Sequence, residues 1–157
     1  MKFIPVVILS ATAAWMVPAR ADTLVEATRT GNFTSSSTSL ISVPIDNNGD
    51  SSIKVNTIDH DEVFEIIYNA ECGVLGPQQA DVTIEIILDG HQVDPKSGTH
   101  FAFCTATSST DYSWVGATRQ STFVVPTVGY HTVEVHAAGE NGATTWWLGD
   151  SALAINE

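Results

Sequence analysis

Four aromatic residues in the second half of the chain are the side chains whose type and spacing favour ligand binding. Trp146 and Trp147 are adjacent, so in a β-strand they point to opposite faces of the sheet. We expect one of them in the core and the other on the outer face, where an exposed indole can pack against a sugar ring or a partner surface. Trp114 and Tyr112 are candidates for the same patch. The alternatives are a subunit contact or a tryptophan shielded by neighbouring side chains.

Asp46, Asn48 and Asp50 have the alternating oxygen ligands that begin a calcium-binding loop. The rest of the loop does not fit, because its sixth position is Ser51 rather than Gly and its twelfth is Thr57 rather than Glu. A turn stabilised by Asp and Asn side chains is the simpler interpretation. These three residues therefore remain weak metal candidates, and we predict no metal or other cofactor.

Recognisable catalytic motifs are absent from the sequence: it has no G-x-S-x-G, H-E-x-x-H, phosphate-binding loop or dinucleotide fingerprint. His131 lies on the apolar face of its strand and is expected to be a core histidine bonded to the backbone. We predict a non-enzymatic module that presents a binding or assembly surface to an unknown protein or glycan. The alternative is a carbohydrate-active or other hydrolase that uses two of the 18 acidic residues.

Residues 1–21 have the features of a cleaved secretory signal peptide. Lys2 supplies a positive start, Phe3 to Ala14 is apolar, and Ala19-Arg20-Ala21 forms an A-x-A cleavage site. The apolar run falls short of the roughly 20 residues that a membrane-spanning helix needs. We therefore predict a secreted or periplasmic protein that is not an integral membrane protein once processed.

The mature chain, Asp22 to Glu157, has a length typical of one domain. Removing the signal takes away Lys2 and Arg20, which leaves four basic residues against 18 acidic ones and a net charge of −14. Such a field repels phosphate backbones, so nucleic acid is excluded as a partner. The same charge also serves solubility without any binding role.

Cys72 and Cys104 are the two cysteines of the chain. An even number of cysteines in an exported protein predicts a disulfide. The chain has no C-x-x-C pair, and two thiols are too few for a structural zinc site without histidines at fixed spacing. A bridge between them would stabilise the fold by roughly 3–4 kcal/mol, mainly by restricting the unfolded chain.

Period-two alternation of apolar residues predicts an all-β fold. Phe64 to Cys72 and Val82 to Leu88 each place apolar residues on one face, and no segment of ten residues shows a helical stripe. Val128 to Ile155 has two such runs around Gly139-Glu140-Asn141-Gly142, which predicts a β-hairpin at the centre of the fold. Eight to ten short strands in a single domain predict a two-sheet antiparallel β-sandwich of jelly-roll type.

Other segments are less regular. Gly31 to Thr38 and Gly73 to Ala80 are predicted as loops because they are rich in polar residues, Gly and Pro. Tyr112 to Gly116 and Thr122 to Val125 are predicted as two separate short strands.

Four segments resemble a family of secreted, mostly uncharacterised bacterial β-sandwich domains: FEIIYNAEC at 64–72, IEIILDG at 84–90 with THFAF at 99–103, GYHTVEVHAA at 129–138 and ATTWWLGDSALAI at 143–155. The layout is also similar to the jelly rolls of C1q, tumour necrosis factor and phage fibre heads. This resemblance implies a sandwich fold over about residues 63–157 and a homotrimer. It implies no functional residues.

Overall fold

The computed structural model describes residues 23–93 and 102–157, which form two antiparallel sheets packed face to face. The predicted signal peptide, residues 1–21, lies outside the described residues. Within the described ranges, no helix is long and apolar enough to cross a membrane. The strands are β1 (Thr23–Arg29), β2 (Phe33–Ser35), β3 (Ile41–Ser42), β4 (Ser52–Thr57), β5 (Glu62–Leu75), β6 (Asp81–Leu88), β7 (His91–Gln92), β8 (Cys104–Thr105), β9 (Val115–Val125), β10 (Gly129–Glu140) and β11 (Thr145–Asn156).

The strand order identifies the sandwich as a jelly roll. Sheet I has the order β1-β11-β5-β9, with β2 also paired to β11. Sheet II has the order β3-β10-β6-β7, with β4 paired to β10 and β8 to β6. The chain changes sheet between β2 and β3, between β4 and β5, between β5 and β6, and at each step from β8 to β11. This alternation confirms the predicted all-β, two-sheet, jelly-roll-like fold.

The predicted hairpin of Val128 to Ile155 is wrong, because its two strands lie in different sheets. β10 pairs with β3, β4 and β6, whereas β11 pairs with β1, β2 and β5. Asn141 and Gly142 turn the chain with φ of 54° and 91°, and the chain then passes from sheet II to sheet I. At Gly139 a Cβ atom would lie 2.8 Å from Cδ1 of Trp146, so the missing side chain lets the indole approach β10. β10 and β11 are each central, but in separate sheets.

The core lies between the inner faces of the two sheets, as the alternation predicted. On β5, the apolar residues from Phe64 to Cys72 that share one face are buried. They pack with inward residues of β10 and β11, namely Val133, Val135, Ala137, Trp146, Leu148, Leu153 and Ile155. Burial of aliphatic and aromatic side chains on this scale is the main contribution to the stability of such a sandwich.

The predicted disulfide between Cys72 and Cys104 is present. It joins β5 of sheet I to β8 of sheet II, with the two Cα atoms 6.1 Å apart. Cys72 is fully buried and Cys104 nearly so. The bridge therefore ties the two layers together through the core.

Candidate functional site

Tyr112, Trp114 and Trp147 form an aromatic cluster on the outer face of sheet I. The rings of Tyr112 and Trp147 stack with centroids 4.4 Å apart, and Trp114 meets Tyr112 edge-on at 5.8 Å. Tyr112 and Trp114 are 40% and 37% exposed, and Trp147 is half-buried. The structure therefore brings together three of the four aromatic residues singled out in the sequence, and their rings are in direct contact.

Two glycines let these rings lie directly on the sheet. Gly73 of β5 is the register partner of Trp147, and a Cβ atom on it would lie 3.2 Å from Cδ2 of Tyr112. A Cβ atom on Gly149 would lie 3.3 Å from Cζ3 of Trp114. A side chain at either position would crowd the rings, which would have to move by a few tenths of an ångström to make room.

Trp146, the fourth aromatic residue, belongs to the core and is removed from the candidate site. Its side chain is fully buried, and its Nε1–H donates a hydrogen bond of 3.0 Å to the carbonyl of Ser37. Its ring also packs against Phe33, with the centroids 5.8 Å apart. Adjacent strand residues point to opposite faces, so the inward position of Trp146 is what places Trp147 outside.

A shallow depression of about 510 Å³ lies on the outer face of sheet I, beside the aromatic cluster. Its walls come from β1, β5, β9 and β11, and the register of β11 against β5 shifts between Leu148 and Ser151. Gly116 and Ala152, which have little or no side chain, keep its centre low. The polar side chains at its walls are those of Thr28, Thr30, Asn69, Glu71, Thr118 and Asp150.

The depression and the aromatic cluster meet at Gly149. A Cβ atom on this glycine would lie 2.8 Å from Oε2 of Glu71 as well as 3.3 Å from Trp114. The carboxylate of Glu71 and the ring of Trp114 therefore flank the same piece of backbone. Across the depression, Thr118 Oγ1 donates to Asn69 Oδ1 at 2.6 Å, and Asp150 Oδ1 accepts from the Gly31 amide at 2.8 Å.

Arg29 supports the floor of the depression from below. Its Nη2 donates to the carbonyls of Leu148 and Gly149 at 3.0 and 2.8 Å, its Nε donates to Pro44, and its Nη1 donates to Gly31. Arg29 is only 6% exposed, so these carbonyls take the place of the water that a guanidinium would otherwise bind. The residue fixes the shifted segment of β11 and offers little charge to solvent.

The weak metal candidates Asp46, Asn48 and Asp50 form a turn. Asp46 Oδ1 accepts from the backbone amides of Asn48 and Asp50, each at 2.9 Å, and its Oδ2 accepts from the Asn48 side chain at 3.1 Å. Although burial acts to raise it, the pKa of Asp46 is lowered by these hydrogen bonds. In the part of the chain that the structure describes, no cluster of His, Cys, Asp and Glu could hold a metal ion.

His131 is buried and bonded to the backbone, as the sequence predicted. Its Nε2 lies 3.0 Å from the carbonyl of Thr127, and its Nδ1 lies 2.7 Å from Oδ2 of Asp89. The hydrogen bond to Asp89 raises the pKa of His131, against the effect of burial. Because both nitrogens face acceptors within the protein, His131 is engaged structurally and has no ring nitrogen free to activate a nucleophile.

The polar residues of the depression were not singled out in the sequence. Asn69 and Glu71 are outward positions of an alternating strand, where polar residues are ordinary. Asp150 lies at the register shift of β11, which the sequence pattern does not reveal. Only the pairing of β5 with β9 and β11 brings these side chains to one place.

No protein family matches the sequence, and no curated protein is significantly similar to it. The resemblance to secreted bacterial β-sandwich domains therefore stays a prediction. The functional proposal therefore rests on the fold and on the geometry of the site.

Proposed function

We propose that the mature chain is an exported, non-enzymatic module whose outer face of sheet I binds a glycan or a protein. The contact surface consists of the aromatic cluster of Tyr112, Trp114 and Trp147 together with the adjoining depression, which has polar side chains at its walls. One observation carries the proposal: aromatic rings from two distant parts of the chain meet on an outer face. Exposed aromatic groups beside polar side chains are typical of binding surfaces.

The cluster has the features of a prepared surface rather than of incidental exposure. Tyr112 and Trp114 stay more than a third exposed although each packs against another ring. Gly73 and Gly149 let the rings pack close to the backbone, and the contacts among the three rings favour one arrangement of the surface before any ligand arrives. Preorganisation of this kind lowers the entropic cost of binding.

Export is part of the proposal and rests on two observations. The sequence of residues 1–21 has the order of a signal peptide, and the disulfide between Cys72 and Cys104 is compatible with an oxidising compartment. A secreted or periplasmic module would meet glycans and proteins of the cell envelope or its surroundings.

A hydrolase is the second candidate, because two carboxylates, Glu71 and Asp150, lie at the walls of one depression. A pair of carboxylates is what glycoside hydrolysis needs. Against this, Asp150 Oδ1 accepts a hydrogen bond from the Gly31 amide, which gives it a structural task. We expect the wild-type protein to release no reducing ends from glycans. If it does release them, the Asp150→Asn and Glu71→Gln variants should abolish that hydrolysis.

The binding proposal predicts different outcomes for the two adjacent tryptophans. We expect Trp146→Ala to lower the free energy of unfolding by about 3–5 kcal/mol, since it truncates a core aromatic residue. Trp147→Ala and Trp114→Ala should fold with near-normal stability and lose binding. The measurements are urea unfolding and a screen of the mature protein on arrays of glycans and of proline-rich and basic peptides.

Tyr130→Ala is the control variant, because Tyr130 is 79% exposed and lies on β10 of the other sheet. It should change neither stability nor binding. Equal loss of binding in the Tyr130 and Trp114 variants would show that the outer face of sheet I is not the contact surface.

A further inference from the structure

The depression beside the aromatic cluster offers both hydrogen-bond donors and acceptors. The carboxylate of Glu71 accepts, while Asn69 uses its oxygen to accept from Thr118, so its NH₂ group can donate. The Thr28 hydroxyl at the wall can do both. A ligand that matches such a surface must itself donate and accept, as hydroxyl groups do. An ammonium group only donates and would leave the donors of the depression unmatched.

Charge narrows the class of ligand further. Glu71 and Asp150 are the charged side chains at the walls that face solvent, and both are negative. Arg29 is the positive residue there, but its guanidinium is buried and donates to carbonyls of the chain. A phosphate, sulfate or uronate group would therefore meet repulsion without a compensating cation.

We propose that the ligand is a neutral saccharide chain, bound along the line from the aromatic cluster into the depression. This inference rests on the proposed function and specifies its ligand. The apolar C–H face of a sugar ring packs against Trp114 or Tyr112, and its hydroxyls donate to Glu71 and accept from Asn69. The volume of about 510 Å³ lies within the range of small-molecule sites.

Glu71 and Trp114 both lie beside Gly149, so a carboxylate and an aromatic ring face the same position. A sugar unit placed there would touch an aromatic ring and a carboxylate at once. Stacking alone tolerates any flat apolar ligand, whereas the carboxylate demands hydroxyl donors. The two residues should therefore contribute separately, with the ring setting affinity and the carboxylate setting the preference for saccharides.

The test is a titration of mature protein with neutral hexasaccharides of glucan, mannan, xylan and galactan, and with oligogalacturonate as the anionic comparison. Calorimetry and tryptophan fluorescence report binding, since Trp114 and Trp147 both lie in the cluster. We expect at least one neutral series to bind and oligogalacturonate not to bind. Glu71→Gln should weaken binding about tenfold, and Trp114→Ala by more than that.

Glu65→Gln is the matched control. Glu65 lies on β5 with the same outward direction as Glu71, six residues or roughly 20 Å away. It should leave saccharide binding unchanged. Equal weakening by Glu65→Gln and Glu71→Gln would overturn the assignment of the site.

The remaining outcomes show whether the proposed ligand class, the proposed binding surface or both are wrong. If a basic or proline-rich peptide binds, and Trp114→Ala abolishes this while no neutral saccharide binds, the saccharide inference is overturned and the proposed surface stands. If neither probe class binds, both are overturned. If oligogalacturonate binds as tightly as the neutral chains, the charge argument fails and the inference with it.

Discussion

At the scale of single residues, His131 shows how a buried polar group can depend on pH. Both of its ring nitrogens face acceptors, the Asp89 carboxylate and the Thr127 carbonyl. Only the imidazolium form can donate to both, so protonation is favoured and the pKa of His131 is raised, chiefly by Asp89. Glu62 adds to the shift through its charge. In turn, although burial opposes it, the pKa of Asp89 is held low by the hydrogen bonds from His131 and Thr132.

This pair predicts a pH-dependent contribution to stability. A raised pKa of His131 stabilises the fold below the unfolded value of about 6.5, and this contribution is lost as pH rises through the folded value. A lowered pKa of Asp89 stabilises the fold above about 3.9 and is lost as pH falls further. We expect His131→Gln to destabilise the protein more at pH 5.5 than at pH 8.5, with a difference of about 1 kcal/mol or less, because Asp89 is partly exposed. Urea unfolding at a series of pH values measures it.

Asp89→Asn is the companion variant. It keeps the Oδ1 acceptor for the Thr132 amide, and Asn tolerates the φ of 49° at this position. It should flatten the pH dependence while keeping the turn. A difference between wild type and His131→Gln that stays constant from about pH 5 to 9 would show that the pair carries no linked proton.

In β11, the sequence pattern does not predict which side chains face the core. The alternation predicts that Trp146 and Trp147 face opposite ways, but not which one is inside. Strict alternation along β11 would put Trp147 on the same face as Leu153 and Ile155. Those two residues are buried, yet Trp147 lies outside. The register shift between Leu148 and Ser151 reverses the face halfway along β11. A simple count by twos across that strand therefore points to the wrong tryptophan.

At the scale of strands, the sequence predicts extended segments better than it predicts their partners. The inner faces of β5 and β10 follow from apolar alternation, whereas the sheet to which β11 belongs does not. A four-residue Gly and Asn turn serves a hairpin or a crossing between sheets equally well, and the turn itself does not reveal that β11 pairs with β1 and β5. β9 is predicted as two short strands because its centre is polar, whereas the structure has one strand that begins at Val115 and leaves Tyr112 and Trp114 outside it. β2, predicted as loop, is held by pairing with β11.

The disulfide between β5 and β8 predicts the response of the fold to reduction. Closing this loop should contribute roughly 3 kcal/mol, which for a domain of this size corresponds to about 10 °C in melting temperature. We expect scanning calorimetry with a reductant to show a drop of that order. Because Cys72 is fully buried, reduction should be slow below the transition and require local opening.

A Cys72→Ala/Cys104→Ala double variant provides the control, since its melting temperature should already be lowered and should not respond to reductant. Mass spectrometry of exported protein should find two fewer hydrogens than the reduced chain. Two free thiols in that material would refute the bridge.

At the scale of the whole molecule, surface charge and exposed apolar residues act in opposite directions. Residues 22–157 carry a net charge of −14, which opposes association between copies. Val63 and Val124 are register partners on the outer face of sheet I and are 52% and 55% exposed. They lie at the beginning of β5, at the end of the sheet away from the aromatic cluster. We place the contact of the predicted trimer at this exposed apolar pair, where it leaves the proposed binding surface free.

The last prediction is the homotrimer implied by the resemblance to jelly-roll assemblies. We expect light scattering of mature protein to give three times the mass of one chain, as a closed cyclic assembly requires. Salt should favour the trimer, because screening reduces repulsion between like-charged copies. Val124→Glu should dissociate it by adding charge at the proposed contact, whereas Thr144→Glu, at an exposed position near the opposite end of β5, should not. A monomer mass that does not change with concentration or salt would contradict the trimer, and the valine pair would then be ordinary exposed surface.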